Sequence, residues 1–340
     1  VKRLIPDYKR YDFSCYAIGN KQFNDQLNWD FGLRADYVSL RAYKYYYTSF
    51  WDQRNYSDDF SDIIIQESGN QILTAPNFNY FNISTSSGLN WQKGPNDFKI
   101  NLSIGARNPN PSELFSEGLH HSASRIEIGD LRFESEISKN LSLGYSFKNS
   151  LVKLSINPFL RRINDFIVIE PTDIRQTIRG NFQVWEYRQT DVHLSGLDFD
   201  SSWSLSENIY LDQQLSLVKS YEAESKLPLI NMPPVNLVNR ITYTGIEESN
   251  LKISIENEYV WRQNEFPNVN YEAYIPELDT IELIDISSPP SAFNLIHLSI
   301  QSKINLFKKT STQLVFRIEN LLNARYRNYL NNMRFYADEL

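Results

Sequence analysis

Residues 27–37 read LNWDFGLRADY, and this stretch decides the fold class. Apolar and aromatic side chains occupy every second position from Leu27 to Tyr37, with Asn, Asp, Gly or Arg at the positions between them. A period of two residues predicts a β-strand with one apolar face and one polar face. The alternation lasts for about ten residues, which is the length of a tilted strand that crosses a bilayer, whereas strands of soluble sheets average about 5–6 residues.

The same alternation returns along the chain and predicts about twelve strands. These are centred on residues 8–18, 27–37, 81–91, 98–106, 141–147, 152–160, 190–203, 209–217, 236–243, 251–259, 296–300 and 314–318. Short polar turns, such as 93–97, alternate with long connections, such as 108–134 and 164–190. Tight turns at one end and long loops at the other are typical of an outer-membrane barrel. We therefore predict an all-β fold, an antiparallel transmembrane β-barrel, with a bulge near Gly196 where the alternation changes phase.

Composition excludes several other classes of protein. The formal net charge is -7, which argues against nucleic acid as a partner. Cys15 is the single cysteine, so an intrachain disulfide and a multi-cysteine metal site are excluded. The sequence contains no Gly-rich phosphate loop, nucleophile elbow or His-Glu-x-x-His motif.

Several boxes between about residue 100 and residue 340 resemble those of TonB-dependent outer-membrane receptors. Residues 106–121, ARNPNPSELFSEGLHH, are similar to a box in the barrels of that family, and EIGDLRFESE at 127–136 resembles the segment that follows it. Residues 180–190 and 227–234 resemble the iron-citrate and siderophore-like branch of Bacteroidetes type, and 319–326 resembles the box before the last strand. The family-motif residues are Arg107, Pro109, Glu113, Leu114, Phe115, Gly118, Glu127, Gly129, Glu134, Asn320, Leu321, Asn323 and Tyr326.

The resemblance implies a 22-stranded barrel with a plugged lumen, of which residues 1–340 would be the C-terminal half, without the plug domain and the final strand. It implies uptake of a ferric-siderophore or related iron chelate across the outer membrane of a Gram-negative cell, with energy from the inner-membrane TonB complex. The expected partners are outer-membrane lipid, the protein's own plug domain, TonB through an upstream segment, and in some cases a surface lipoprotein. Because such uptake makes and breaks no covalent bond, the resemblance also implies that the protein is not an enzyme. No intrinsic cofactor is expected, and a ferric chelate or haem would be the transported ligand. Arg107 and Glu113 are expected to form a buried structural pair near the plug.

Ligand contact is a hypothesis for two groups of basic residues. His120 and His121 follow two glutamates in a long segment, and imidazole beside carboxylate could bind iron or haem iron. Arginines around the segment 164–190 could bind the carboxylates of an anionic chelate, although a solvated charged loop would have the same composition. The candidates are His120, His121, Arg161, Arg175, Arg179 and Arg188. His193 and His297 fall on the predicted polar faces.

Alternative functions remain open at this point. The chain could belong to a haem receptor or to an importer of cobalamin, a glycan or a peptide. A passive porin-like channel fits the strand pattern but not the boxes. A soluble carbohydrate-binding sandwich is a more distant alternative.

Overall fold

The computed structural model describes residues 3–177, 180–245, 251–275, 279–307 and 310–331. The strands within these residues are β1 (Tyr8–Gln22), β2 (Leu27–Ala42), β3 (Lys44–Tyr47), β4 (Ile64–Ser68), β5 (Gln71–Thr74), β6 (Asn77–Lys93), β7 (Asn96–Arg107), β8 (Glu117–His120), β9 (Arg125–Ile128), β10 (Glu136–Lys148), β11 (Val152–Thr177), β12 (Gly180–Ser204), β13 (Ile209–Glu222), β14 (Asn236–Thr244), β15 (Lys252–Val260), β16 (Tyr271–Ile275), β17 (Thr280–Ile284), β18 (Phe293–Phe307) and β19 (Thr310–Ile318). The helices are α1 (Thr48–Gln53), α2 (Tyr56–Phe60) and α3 (Pro111–Phe115), with 3-10 turns at Ser61–Ile63 and His121–Ala123. Among the described helices, none has the length and apolar character needed to cross a membrane.

Twelve strands form one continuous antiparallel sheet. Their order is β1-β2-β6-β7-β10-β11-β12-β13-β14-β15-β18-β19, so each strand of this sheet pairs with the next one along the chain. β8 and β9 join the sheet at its side, because β9 pairs in parallel with β12. The predicted all-β, antiparallel architecture with about twelve strands is confirmed, and β1 and β19 are the two open edges of the described sheet.

The two faces of this sheet have opposite polarity. Phe81 and Ile83 on β6 are 66% and 57% exposed although both are apolar, and Asn82 and Ser84, at the alternate positions, lie on the other face. On that polar face, side chains from β1 to β11 line a cavity of about 760 Å³. We call the polar face the inner wall and the apolar face the outer face. An exposed apolar surface of this extent indicates contact with lipid or with another apolar surface.

The connections are short at one end of the sheet and long at the other. Residues 94–95, 149–151 and 205–208 join strands at the short end, whereas 43–76, 108–135 and 261–292 join them at the long end. The prediction of a long loop at 164–190 is wrong, because β11 and β12 continue through it as a paired ribbon. Two register shifts, at Ile163/Phe166 and Pro171/Asp173, interrupt the sequence alternation while the pairing continues.

The predicted bulge near Gly196 is also wrong. Gly196 stays in register opposite Phe159, and a Cβ at Gly196 would lie 2.5 Å from the Phe159 ring. The glycine therefore makes room for an aromatic ring that lies flat on the inner wall. Because the register is continuous, His193 lies on the outer face opposite Arg162, and only His297 is on the polar face as predicted.

Candidate functional site

The long segments 43–76 and 108–135 pack against each other at the long end of the sheet and form a unit that we call the cap. Its core contains side chains that are almost completely buried, with Trp51 and Phe115 at 0% exposure and Tyr56 and Leu131 at 1%. Leu40 of β2 and Ile167 of β11 belong to the same cluster. The cap is therefore anchored to the sheet by apolar packing and has a core of its own.

Two tyrosine hydroxyls lie inside the cap core. Burial raises the pKa of the Tyr46 hydroxyl far above its usual value. Burial, together with the nearby carboxylate of Asp130, also raises the pKa of Tyr56. The Tyr56 hydroxyl lies 3.3 Å from an Asp130 carboxylate oxygen and accepts a hydrogen bond of 3.3 Å from the Leu131 backbone N–H. Both phenols stay neutral at physiological pH and act as structural groups.

Arg107 connects the inner wall to the cap through two carboxylates. Its guanidinium donates to Glu113 at 3.0 and 3.1 Å and to Glu136 at 2.6 Å through two nitrogens. Glu113 is nearly buried and also accepts from the Asn110 backbone N–H at 2.8 Å, and Glu136 accepts from the Ile167 N–H at 2.7 Å. The expected Arg107–Glu113 pair is therefore present, although the Arg107 side chain is 45% exposed rather than buried. Both carboxylates hold the pKa of Arg107 above its usual value, with the Glu136 hydrogen bond as the largest cause.

The sequence of α3 explains why Glu113 stands where it does. Asn110 caps the helix by accepting from the N–H groups of Ser112 and Glu113, and Glu113 bonds back to Asn110, which completes a capping box. Pro111 occupies the first turn, where a missing N–H costs nothing. The box residues Pro109, Leu114 and Phe115 are buried. The motif thus fixes a short helix whose glutamate faces Arg107.

Gly129 lies where the backbone of the next segment passes directly over α3. A Cβ at this position would lie 2.3 Å from the Glu113 carbonyl oxygen, which is backbone and cannot move aside cheaply. The close approach permits two backbone hydrogen bonds, from Gly129 to Ser116 at 2.7 Å and from Asp130 to Glu113 at 3.0 Å. Gly118 has φ of 146°, a conformation that disfavours other residues. Both family-motif glycines therefore have a steric role in the cap.

His120 is held by a buried carboxylate at the side of the cap. Its Nδ1 lies 2.9 Å from Glu127 Oε1, and because a carboxylate only accepts, Nδ1 carries a proton. Arg125 donates to the same Glu127 oxygen at 2.8 Å and lies 4.6 Å above the Trp185 ring of β12. The His120 side chain is 42% exposed, so its Nε2 can reach a ligand from solvent.

His121 is exposed, and no hydrogen bond joins its side chain to this group. The two neighbouring histidines are thus not equivalent, because His120 alone has an orienting carboxylate among the described residues. Within the same part of the chain, no group of three or more His, Cys, Asp or Glu side chains is placed to hold a metal ion.

The candidate arginines do not converge on one site. Arg161 is on the inner wall beside the Phe159 ring, whereas Arg175 is exposed far along the same strand. They are fourteen positions apart, so at about 3.3 Å per residue their Cα atoms are separated by up to about 46 Å along the strand. Arg188 of β12 is occupied by ion pairs with Glu170, at 2.7 Å, and with Glu222. Arg179 lies outside the described residues.

The last family box, in the segment after β19, is a compact turn. Asn320 and Asn323 both have φ of 50°, which asparagine tolerates, and the Asn320 side chain bonds both backbone groups of Ala324. The Tyr326 ring packs on Phe293 of β18 with 4.7 Å between centroids, and the Leu321 N–H bonds to Ile296. Glu134, in contrast, is exposed, and its backbone N–H bonds the Gln189 side chain. These residues position chain segments and are not gathered around a shared cavity.

Ion pairs line the inner wall, and the sequence analysis did not identify them. Arg34 pairs with Asp36 at 2.7 Å, and Arg240 pairs with Glu256, which Arg317 also approaches at 4.0 Å. His297 is 9% exposed, and its Nδ1 accepts a hydrogen bond from the Asn320 N–H at 3.2 Å. The signal was present as charged residues at every second position, as with Arg34 and Asp36 on β2, whereas Arg240 and Glu256 come from neighbouring strands.

Comparison with known proteins identifies one matching family model and several solved structures with a similar fold. A family model described as "TonB dependent receptor-like, beta-barrel" matches residues 3–321. The copper transporter OprC is 16% identical with a TM-score of 0.72, and the alignment covers 98% of this chain and 46% of that one. The ferric yersiniabactin uptake receptor FyuA from Yersinia pestis is 12% identical with a TM-score of 0.62, and the alignment covers 95% of this chain and 42% of that one.

A third solved structure is similar to the same extent. The Serratia marcescens hemophore receptor HasR, in complex with its hemophore and heme, is 12% identical with a TM-score of 0.62, covering 95% of this chain and 50% of that one. The chain thus spans half or less of the length of these three structures, and at these identities the likeness concerns the fold. No curated protein sequence matches the chain.

Proposed function

We propose, from the premise that this chain belongs to the TonB dependent receptor-like β-barrel family, that the complete protein is an outer-membrane transporter that imports a ferric-siderophore or related iron chelate. In this proposal the chain is the C-terminal half of the barrel domain, and the lumen is closed by a plug domain. TonB supplies the energy by acting on an upstream segment. The barrel binds and conducts the ligand and changes no covalent bond.

The observation that carries the proposal is the opposite polarity of the two faces of the twelve-stranded sheet. Apolar side chains such as Phe81 and Leu102 are more than half exposed on the outer face. Ion pairs and hydrogen-bonding side chains cover the inner wall, where Arg34–Asp36 is an example. A barrel that separates lipid from a polar lumen needs this arrangement, and a soluble sandwich buries its apolar face instead.

Arg161 supports an anionic chelate as the ligand. It is exposed on the inner wall, beside the cavity of about 760 Å³ that Arg107 also lines. Among the described inner-wall arginines, Arg161 is the one without a carboxylate within ion-pair distance, and Phe159 supports its guanidinium. A guanidinium with free donors suits carboxylate or other oxygen groups of a chelate.

Haem is the second candidate, and His120 is the observation that favours it. Its Nδ1 is held by Glu127 and its side chain is 42% exposed, so Nε2 is the ring atom available to a ligand. This arrangement of carboxylate and imidazole is common around metal-bound histidines, where it fixes the ring and raises its basicity.

Growth of a deletion strain on single iron sources tests both candidates. We expect loss of growth on one ferric chelate and rescue by the intact gene, with reduced rescue by Arg161→Gln. For haem, the purified protein is titrated with ferric haem, and the haem absorption band is followed for wild type, His120→Ala and His121→Ala. A band shift lost only in His120→Ala would favour haem. Unchanged growth on every iron source, haem included, would contradict the iron proposal.

A further inference from the structure

The connection 261–292, at the long end of the sheet, carries a hairpin that we call the acidic hairpin. Its strands are β16 (Tyr271–Ile275) and β17 (Thr280–Ile284), and among the described residues these two strands form a sheet of their own. A lone two-stranded hairpin is marginally stable in water. A hairpin of this kind therefore needs fixed supports, a partner, or both.

The base of the acidic hairpin is fixed by side chains just outside its two strands. The Asn270 side-chain oxygen accepts hydrogen bonds from the backbone N–H groups of Ile286 and Ser287, each at 2.9 Å. Ser287 is 4% exposed, and its hydroxyl oxygen accepts from the Val269 N–H at 2.7 Å. The two ends of the hairpin are thus tied together, and its strands are held in position before any partner binds.

One face of the acidic hairpin is apolar and open to solvent. Tyr274 lies directly opposite Ile281, and Glu272 lies opposite Leu283, so these four side chains share a face. Tyr274, Ile281 and Leu283 are 53%, 68% and 64% exposed. The Tyr274 hydroxyl donates to Asp279 at 2.8 Å, which restrains the ring. Large apolar side chains that are exposed together and bordered by polar residues mark an interaction site.

The charge around this face has a single sign. The acidic residues between 263 and 292 are Glu265, Glu272, Glu277, Asp279, Glu282 and Asp285, and the same stretch of sequence contains no lysine or arginine. Where the segment meets the sheet, Lys219 of β13 pairs with Glu265. Carboxylates attract cations and repel anionic surfaces, so the hairpin is matched to a cationic partner and not to a phosphate-bearing membrane surface.

Apolar area and negative charge together define the class of partner. A small cation would neutralise carboxylates but leave Tyr274, Ile281 and Leu283 uncovered, and the described residues contain no group of three or more side chains placed to hold a metal ion. An anionic chelate would be repelled. A polypeptide with both apolar and basic side chains satisfies both features, because lysine and arginine have long stems that reach past an apolar contact.

We propose that the acidic hairpin is a docking site for a cationic segment of a partner protein that also carries apolar side chains. The apolar side chains of that segment cover Tyr274, Ile281 and Leu283. Its ammonium or guanidinium groups reach Glu272 on the same face and Asp279 at the end of the hairpin. The inference goes beyond the proposed transport and depends neither on the nutrient nor on the residues proposed to bind it.

Binding of short fluorescent peptides to the complete protein in a nonionic detergent tests this inference by fluorescence anisotropy. The probes are three alternating peptides of equal length, made of leucine and lysine, serine and lysine, or leucine and glutamate, and protein-free micelles provide the background. We expect wild type to bind the leucine–lysine peptide roughly tenfold more tightly than the serine–lysine peptide, because the complex covers apolar side chains. The leucine–glutamate peptide should bind more weakly than either.

Two double variants separate the apolar contribution from the charged one. Ile281→Ser/Leu283→Ser should abolish the roughly tenfold advantage of the leucine–lysine peptide and leave the affinity for the serine–lysine peptide unchanged. Glu272→Gln/Glu282→Gln should weaken the binding of both lysine peptides, because it removes two exposed carboxylates. All four side chains are exposed, so the fold does not depend on them.

The matched control is Ile65→Ser/Leu227→Ser, which removes two other apolar side chains at the long end that are 54% and 55% exposed. Its affinities should equal those of wild type. Equal affinity of wild type for the two lysine peptides would overturn the proposal, since charge alone would then explain binding. Tight binding of the leucine–glutamate peptide, or an equal loss of affinity in the control, would also overturn it. Iron uptake is measured separately, so failure of the transport proposal is distinguishable from failure of the docking site.

Discussion

Replacing Arg107 by methionine tests whether the cap is held to the inner wall by the Arg107 ion pairs. The change removes four hydrogen bonds to Glu113 and Glu136, whose side chains are each 9% exposed, and leaves both carboxylates without their cation. Breaking a fully buried ion pair costs about 3–5 kcal/mol. Because Arg107 is 45% exposed, water replaces part of that interaction. We therefore expect the substitution to lower the local stability of the cap by about 2 kcal/mol.

Hydrogen–deuterium exchange of the complete protein in detergent measures this loss. A local destabilisation of about 2 kcal/mol raises the opening equilibrium roughly 30-fold. We therefore expect the amides of segment 108–135 to lose roughly 30-fold in protection, while amides in β13 and β14 keep theirs. The Ile167 amide, which donates to Glu136, should report the same change.

Arg10→Met is the matched control for this experiment. Arg10 is also an inner-wall arginine with a carboxylate partner, but that partner, Asp12, is 48% exposed, whereas Glu113 and Glu136 are each 9% exposed. Protection of 108–135 should therefore stay within twofold of wild type in the control. If Arg107→Met also leaves that protection within twofold of wild type, the ion pairs do not hold the cap and the reasoning is refuted.

Three further predictions concern Gly129, Trp51 and Glu127. Gly129→Ala should destabilise the cap by about 1–3 kcal/mol, because the new Cβ would collide with the Glu113 carbonyl oxygen. The control is Gly105→Ala, whose Cβ would meet no atom within 4 Å, and equal resistance of the two variants to protease would contradict the prediction. Trp51→Ala should lower the stability of the cap by about 3–5 kcal/mol, because the substitution leaves a cavity in the core. Limited proteolysis within residues 43–76 measures this loss, and unchanged cleavage would argue against a packed cap core. Glu127→Gln should weaken haem binding about 10–100-fold if His120 is the ligand, so an unchanged haem titration would exclude that role for the pair.

The alternation of residue types was sufficient to predict the twelve-stranded sheet. Lipid-facing and lumen-facing positions follow each other along every strand, as in 27–37, so the pattern is present within each local stretch of sequence. The pattern failed at 164–190, because the bulges near Phe166 and Pro171 reset the phase without ending the pairing. The pattern failed at Gly196 as well. A glycine that makes room for the Phe159 ring interrupts the alternation in the same way as a bulge does.

The candidate site was predicted only where its partners are close in sequence. Arg107 and Glu113 belong to one box, and their pair is present. Glu136 was missed as the second partner, since the register of β7 and β10 places it opposite Arg107 although it is distant along the chain. The cap core was missed for the same reason, because Trp51 and Phe115 come from separate segments without a periodic pattern. The arginines were grouped by sequence proximity, and the extended ribbon separates them.

Energised uptake of iron tests the central claim most directly. Cells that carry the complete gene, and cells that lack it, are given a radiolabelled ferric chelate that supports growth, with and without a protonophore that collapses the energy of the inner membrane. The account predicts rapid accumulation only in energised cells with the gene, and surface binding without accumulation when the protonophore is present. Equal accumulation in both strains, or accumulation that the protonophore does not change, would contradict an energised transporter and would favour a passive channel.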